Sequence, residues 1–312
     1  MKFASLTSYA YERVNQESAE LLFLKSICDG EAEKTITYFE EDQQFGGASY
    51  VDAPQGRYSG KEQIYSFSKN WLHDFQADSA SIEPITQTTS GGRSACEVIV
   101  HFKREKGNID IPMCIVGDLR KPNLLDAVRI YFYYGWLPGF SAYRRIIFQP
   151  EYLEPAPCTL MTGSIRKYFE ILHAEGDIQE RIEKIVSITP PDVTYGGYRP
   201  EWVQIADSGW NAIREHYTGI CNDAPKNFYV RAEAITDDGL KCVVEWTLIV
   251  TEAGYASGKV MQSGVAVYER DRNSGLLRSI RICDNVGKED AILLEELPEE
   301  IRGLVAQYRK ER

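Results

Sequence analysis

Two carboxylates stand at the ends of predicted strands. Asp52 ends the short predicted strand 49–52, just before the turn Pro54-Gln55-Gly56, and Asp284 follows the last predicted strand, 276–283. A carboxylate facing an apolar enclosure has its pKa raised by desolvation, which suits it to abstract a proton from a carbon acid near neutral pH. Each has a plainer alternative: Asp52 caps the following turn, and Asp284 pairs with Arg281 or caps the chain's exit from a sheet. Tyr131 and Tyr133 alternate onto one strand face and could donate to an oxyanion. With Tyr134 and Trp136 they could equally be strand and interface aromatics. Tyr50, Tyr195, Trp246 and His173 are candidate lining residues for a ligand, His173 being otherwise a surface or capping group. Of the neighbours Glu245 and Trp246, the carboxylate is expected outside and the indole inside, because a buried carboxylate needs a partner.

Other chemistry is poorly represented. The four histidines (73, 101, 173, 216) lie far apart and form no H-x-x-x-H pattern, and the seven cysteines form no C-x-x-C pair, so no metal is expected. Cys283 has no neighbouring histidine to make it a nucleophile. Gly46-Gly47 and Gly91-Gly92 read as turns, without the Lys-Ser/Thr of a phosphate loop. No cofactor is expected.

The elements that must position these residues occur twice. Ser59-Gly60-Lys61-Glu62-Gln63-Ile64 and Ser208-Gly209-Trp210-Asn211-Ala212-Ile213 share the frame Ser-Gly-x-x-x-Ile, 149 residues apart. Ala48-Ser49-Tyr50 pairs with Val193-Thr194-Tyr195, an offset that sets Gly197 against Asp52, and Val128-Arg129-Ile130 pairs with Ile280-Arg281-Ile282. Solenoid units run roughly 20–50 residues, so this period signifies two copies of a whole domain. In each copy, helical patterns come first (17–29 and 31–39; 164–175 and 178–186), then a short strand, a helix and four strands. The run 96–102 alternates as a sheet with one solvated face should. The segment 149–157 holds three prolines and reads as the linker. The division is therefore 1–148, a linker 149–162, 163–288, and a charged C-terminal helix within 289–312.

A net charge of −11 gives no basic field to attract nucleic acid or an anionic membrane. The N-terminus lacks the apolar run of a signal peptide, no stretch is long enough for a transmembrane helix, and scattered reduced cysteines point to the cytoplasm.

The ordered residues Tyr168-Phe169-Glu170-Ile171-Leu172-His173, Asp192-Val193-Thr194-Tyr195, Ser208-Gly209 and Ile213 resemble the nuclear transport factor 2-like superfamily. Val244-Glu245-Trp246-Thr247, Gly264-Val265-Ala266-Val267-Tyr268 and Arg281-Ile282-Cys283-Asp284 extend the likeness. In the first copy Ser49-Tyr50-Val51-Asp52-Ala53-Pro54, Ser59-Gly60 and Ile64 carry it. That group includes ketosteroid isomerases and SnoaL-type polyketide cyclases. The resemblance implies an α+β fold: two tandem cone-shaped barrels, each a curved antiparallel sheet wrapped over about three N-terminal helices. It implies a small hydrophobic ligand, with Asp52 at the isomerase aspartate position and Asp284 at the pocket-mouth position of SnoaL-type proteins. The isomerase tyrosine would fall near Phe23, which has no hydroxyl. It also implies sheet-face pairing, as an intramolecular pseudo-dimer or a homodimer. Three readings follow: a proton-transfer enzyme, a binding protein, or an interaction module with plugged cones.

Overall fold

The computed structural model describes residues 17–39, 48–121, 123–132, 155–197, 207–223, 228–250 and 259–286. Tyr133, Tyr134, Trp136, most of the linker and the C-terminal segment lie outside them, and the Asp284 side chain is likewise not described.

The first half places helices α1 (Ala19–Cys28), α2 (Ala32–Thr35) and α3 (Gly60–Asp74) against strands β1 (Tyr50–Ala53), β2 (Gly56–Ser59), β3 (Ser79–Ser90), β4 (Arg93–Lys103), β5 (Ile109–Lys121) and β6 (Leu124–Tyr131). The second half repeats this with α4 (Gly163–Leu172), α5 (Ile178–Ser187), α6 (Trp210–Asp223), β7 (Thr194–Gly197), β8 (Asp207–Ser208), β9 (Phe228–Asp237), β10 (Lys241–Val250), β11 (Lys259–Arg270) and β12 (Leu277–Val286). The sheet orders are β2-β1-β6-β5-β4-β3 and β8-β7-β12-β11-β10-β9, the same order twice.

Three expectations are corrected here. Each sheet is open and, where a wholly antiparallel sheet was expected, carries one parallel pair, β1 with β6 and β7 with β12. A parallel pair needs a long crossover, and here everything between the first strand and the last provides it. The short strands β2 and β8 have no counterpart in the sequence reading; β2 is a four-residue return of β1 around the Pro54 turn. The register also moves one equivalence. Asp52 lies beside Arg129 and Gly196 beside Arg281, so Asp52 matches Gly196 and Val51 matches Tyr195. A one-residue slip changes which face a side chain occupies.

Curvature comes from β-bulges at matching places. Ile85 is skipped between Pro84 and Thr86 on β3, and Glu233, 148 residues later, is skipped between Ala232 and Ala234 on β9. An extra residue on one strand bends it and increases its twist, curling the sheet over the helices.

The helix-facing side of the first sheet is filled with rings. Phe67, Trp71, Phe75, Phe102 and Phe132 form one buried cluster, with Phe75 stacked on Phe102 at 4.1 Å and 16°. Glu20, fully buried on the first turn of α1, accepts hydrogen bonds from Ser18 Oγ and Ser94 Oγ, both at 2.5 Å. Gly117 makes room for it: a Cβ there would lie 2.8 Å from Leu125 Cδ2 and 3.1 Å from Glu20 Cβ. Burial raises the Glu20 pKa above 4.5, outweighing the two hydroxyl donors. A carboxyl whose folded pKa is raised favours the native state below its unfolded pKa, and that contribution is lost as pH rises through the folded pKa. Glu20→Gln is therefore expected to be more stable than wild type at pH 8 and to flatten the decline above pH 4.5. Urea unfolding midpoints across pH 4–9 measure this; parallel profiles for the two proteins would refute it.

Candidate functional site

The opposite faces of the two sheets are packed on each other, which overturns the expectation of a solvated face. Ala95, Cys114, Val116 and Tyr131 of the first sheet form one buried cluster with Val243, Val265, Val267 and Cys283 of the second. Around it, Arg129 donates to Glu245 twice, Nε to Oε1 at 2.5 Å and Nη2 to Oε2 at 2.8 Å. Arg281 donates to Glu97 in the same manner, at 2.8 and 2.6 Å. Each arginine also bonds an acid of its own sheet: Arg129 to Asp118 at 2.6 Å, and Arg281 to Glu269 at 2.6 Å. Tyr131 donates its hydroxyl to Glu245 at 2.5 Å. Glu245 is thus 1% exposed on the face away from Trp246, not in solvent. Burial opposes charge on Arg129, but Glu245 and Asp118 outweigh it and hold the guanidinium well above its ordinary pKa. Burial raises Asp118, yet Arg129 and Arg93 bring its carboxyl below the usual value.

Asp52 belongs to this outward side. Val51 and Ala53 enter the helix-facing core, and Asp52 between them points the other way, bonded by Arg57 Nε and Nη2 at 2.8 Å each. Tyr50 shares that side, with the Arg57 guanidinium 4.6 Å from its ring centroid. Arg57 therefore links the strand-end carboxylate to the neighbouring ring, and neither faces the helices. His173 is exposed at the C-cap of α4, its Nε2 2.7 Å from the Val230 carbonyl oxygen. Asp284 stands opposite Gly264, which stands opposite Trp246, so these three form one row across the second sheet.

The interior of the second half differs from the first in chemistry. Tyr168, Tyr195, Tyr217, Trp246 and Tyr268 all enter its buried core. The Tyr168 and Tyr217 hydroxyls are hydrogen-bonded to each other, and the Tyr268 ring lies 5.4 Å from Tyr168. Tyr195 Oη is 2.5 Å from His216 Nε2, with the rings 3.9 Å apart. Burial pushes Tyr168 up to about 12 and His216 down to about 4, so at neutral pH the phenol is protonated and the imidazole uncharged. The interior thus offers neutral hydrogen-bonding groups on aromatic walls.

Sequence reading singled out Tyr195 and Trp246 among these and missed Tyr168, Tyr217, Tyr268 and His216. The signal was present in the repeat. The buried faces of α1 and α4 coincide at an offset of 145, pairing Ala19, Glu20, Phe23 and Leu24 with Ser164, Ile165, Tyr168 and Phe169. The Ser-Gly offset of 149 sets His216 on Phe67 and Tyr217 on Ser68. The hydroxyl absent at Phe23 is present at Tyr168.

No protein-family model and no curated protein matches the chain. Similar solved structures include a protein with a ketosteroid isomerase-like fold from Catenulispora acidiphila in complex with trimethylamine (11% identity, TM-score 0.32, covering 37% of this chain and 87% of that one). A protein named as a SnoaL-like polyketide cyclase from Shewanella putrefaciens aligns at 13% identity and TM-score 0.30, over 36% of this chain and 75% of that one. A protein of cystatin-like fold from Methylobium petroleophilum aligns at 20% identity and TM-score 0.31, over 42% and 79%. These alignments are partial and of low identity. The α+β class rests on the chain's own helices and its repeated strand order. Among the described residues, no helix is long and apolar enough to cross a membrane.

Proposed function

We propose that the chain is a tandem nuclear transport factor 2-like protein, with units 1–148 and 163–288 joined by 149–162. In this reading the second unit binds a small, largely apolar molecule carrying a carbonyl or phenol oxygen, and the first is its structural partner. The units pair within the chain through the ion-paired sheet faces. The observation that carries the ligand reading is the Tyr168–Tyr217 hydroxyl pair inside the second core, at positions occupied in the first by Phe23 and Ser68. A phenol whose proton is retained by burial and relayed by a second hydroxyl is a donor for a carbonyl oxygen. It would donate more strongly to the oxyanion formed when a neighbouring C–H is deprotonated. Asp284 is the base of this reading, taking that proton to its carboxylate and returning it to the product carbon. Its support is positional: the matching residue of the first sheet, Phe132, packs on Trp71 and Phe75 in the helix-facing core. Asp52 takes no part, being held by Arg57 on the other face. A second reading, a non-catalytic interaction module, is favoured for the first unit by its ring-filled core.

Thermal unfolding with phenols, steroids and polyketide-like aromatic ketones tests this, because a ligand of the native state raises the midpoint. At least one compound class is expected to raise the wild-type midpoint. Tyr168→Phe is expected to weaken that binding about tenfold, the worth of one buried hydrogen bond. Asp284→Asn is expected to retain binding and to lose exchange of the ligand's α-protons with deuterated solvent. No shift with any compound would overturn the ligand reading. Equal α-proton exchange by wild type and Asp284→Asn would overturn the role of Asp284.

A further inference from the structure

The contact between the sheets is assembled from matched positions. Ala95 and Val243 are 148 residues apart, as are Glu97 and Glu245. Cys114 and Val265, Val116 and Val267, and Asp118 and Glu269 are 151 apart, and Arg129 and Arg281 are 152 apart. Each face therefore carries its own arginine, its own glutamate and its own flanking acid. Such a face is self-complementary, in the way a two-fold dimer requires. If the first face met a second copy of itself, Arg129 would find Glu97 of that copy and every charge would again be paired. The ion pairs fix the geometry of contact but do not distinguish the first face from the second.

One matched pair does differ in size. Tyr131, fully buried, corresponds to Cys283, 2% exposed, and both lie in the inter-sheet cluster. The tyrosine reaches across to donate to Glu245. At the equivalent place the second face carries the smaller cysteine, and Glu97 of the first face accepts from Arg281.

We infer that Tyr131 against Cys283 is the specificity element of this interface, selecting pairing of the two halves of one chain over pairing of either half with a second copy of itself. This inference rests on the intramolecular pairing proposed above. Packing is the reason. Both residues are buried in the inter-sheet cluster, and close-packed interiors are sensitive to the volume of one side chain. Two first faces would bring two tyrosines into space filled by one tyrosine and one cysteine. Two second faces would bring two cysteines and leave that space underfilled. Discrimination arises from penalising the wrong pairings as much as from rewarding the right one.

The test uses the full chain in four forms: wild type, Cys283→Tyr, Tyr131→Cys, and the exchange Tyr131→Cys with Cys283→Tyr. Each single variant makes all pairings equal in size. Each is expected to lower the thermal midpoint by about 5 °C or more and to show concentration-dependent two-chain species in sedimentation velocity. The exchanged variant restores one large and one small residue, and the hydroxyl introduced by Cys283→Tyr would reach Glu97 as that of Tyr131 reaches Glu245. It is expected to return to the single-chain species and to recover most of the lost midpoint. An exchanged variant no better than the sum of the single changes would overturn the inference. So would single variants that stay single-chain at every concentration. Wild type sedimenting as two chains at the lowest concentration would instead overturn intramolecular pairing itself, a distinguishable result.

Discussion

Replacing Arg129 with alanine is expected to destabilise the protein by about 3–5 kcal/mol, the cost of removing one partner from a buried ion pair. Arg129 is 1% exposed and satisfies two carboxylates, Glu245 across the interface and Asp118 beside it. Without it, Glu245 keeps the Tyr131 hydroxyl but has lost the cation that justified its burial, and its desolvation is uncompensated. The loss comes from the stranded carboxylate more than from the bond itself, and this distinction can be tested. Arg129→Met combined with Glu245→Leu removes both charges and keeps apolar volume, so it is expected to recover most of the stability. Urea denaturation of wild type, the single variant and the double variant measures the three values. If Arg129→Ala unfolds within about 0.5 kcal/mol of wild type, a value typical of surface substitutions, the ion pair does not hold the halves together.

The second large effect is expected at Trp71. Its indole is fully buried between Phe67, Phe75, Phe102 and Phe132, at centroid separations of 4.9 to 6.3 Å. Trp71→Ala removes the largest side chain of this core, and such truncations cost about 3–5 kcal/mol. An apolar cavity of this kind can take up a small aromatic, so added indole is expected to raise the variant's thermal midpoint while leaving wild type unchanged. That outcome would support a first half whose interior is occupied by its own rings. A wild-type midpoint that also rises with indole would argue that the first core has ligand space of its own.

Much of the fold could be read from the chain because the relevant signals are local. The helix punctuation at Asp29-Gly30, the Ser-Gly starts of α3 and α6, and the alternating runs of β4 and β10 follow from backbone preferences and periodicity within a few residues. Repetition then turned weak signals into a strong one, since two halves rarely share an order by accident. The short strands β2 and β8 escaped because two to four residues carry no periodicity. Tyr50 was set against Tyr195 for a similar reason. An ungapped comparison of strings does not see the strand register, and one residue of slip exchanges the faces.

The chain alone carried the order of helices and strands, the repeat, and the inward placement of Trp246, all consequences of local patterning. Which face of each sheet is outermost was decided only in three dimensions. Glu245 reads as a solvated position because a carboxylate seldom stays buried without a cation, and Glu97 lies in the alternating run 96–102, read as having one solvated face. Their cations, Arg281 and Arg129, are 184 and 116 residues away along the chain. Pairings at such separations have no local signature; they exist only once the two sheets meet. The polar interior of the second half is of the same kind, because Tyr168 and Tyr217, 49 residues apart, become one hydrogen-bonded group only when α4 and α6 pack beneath a common sheet.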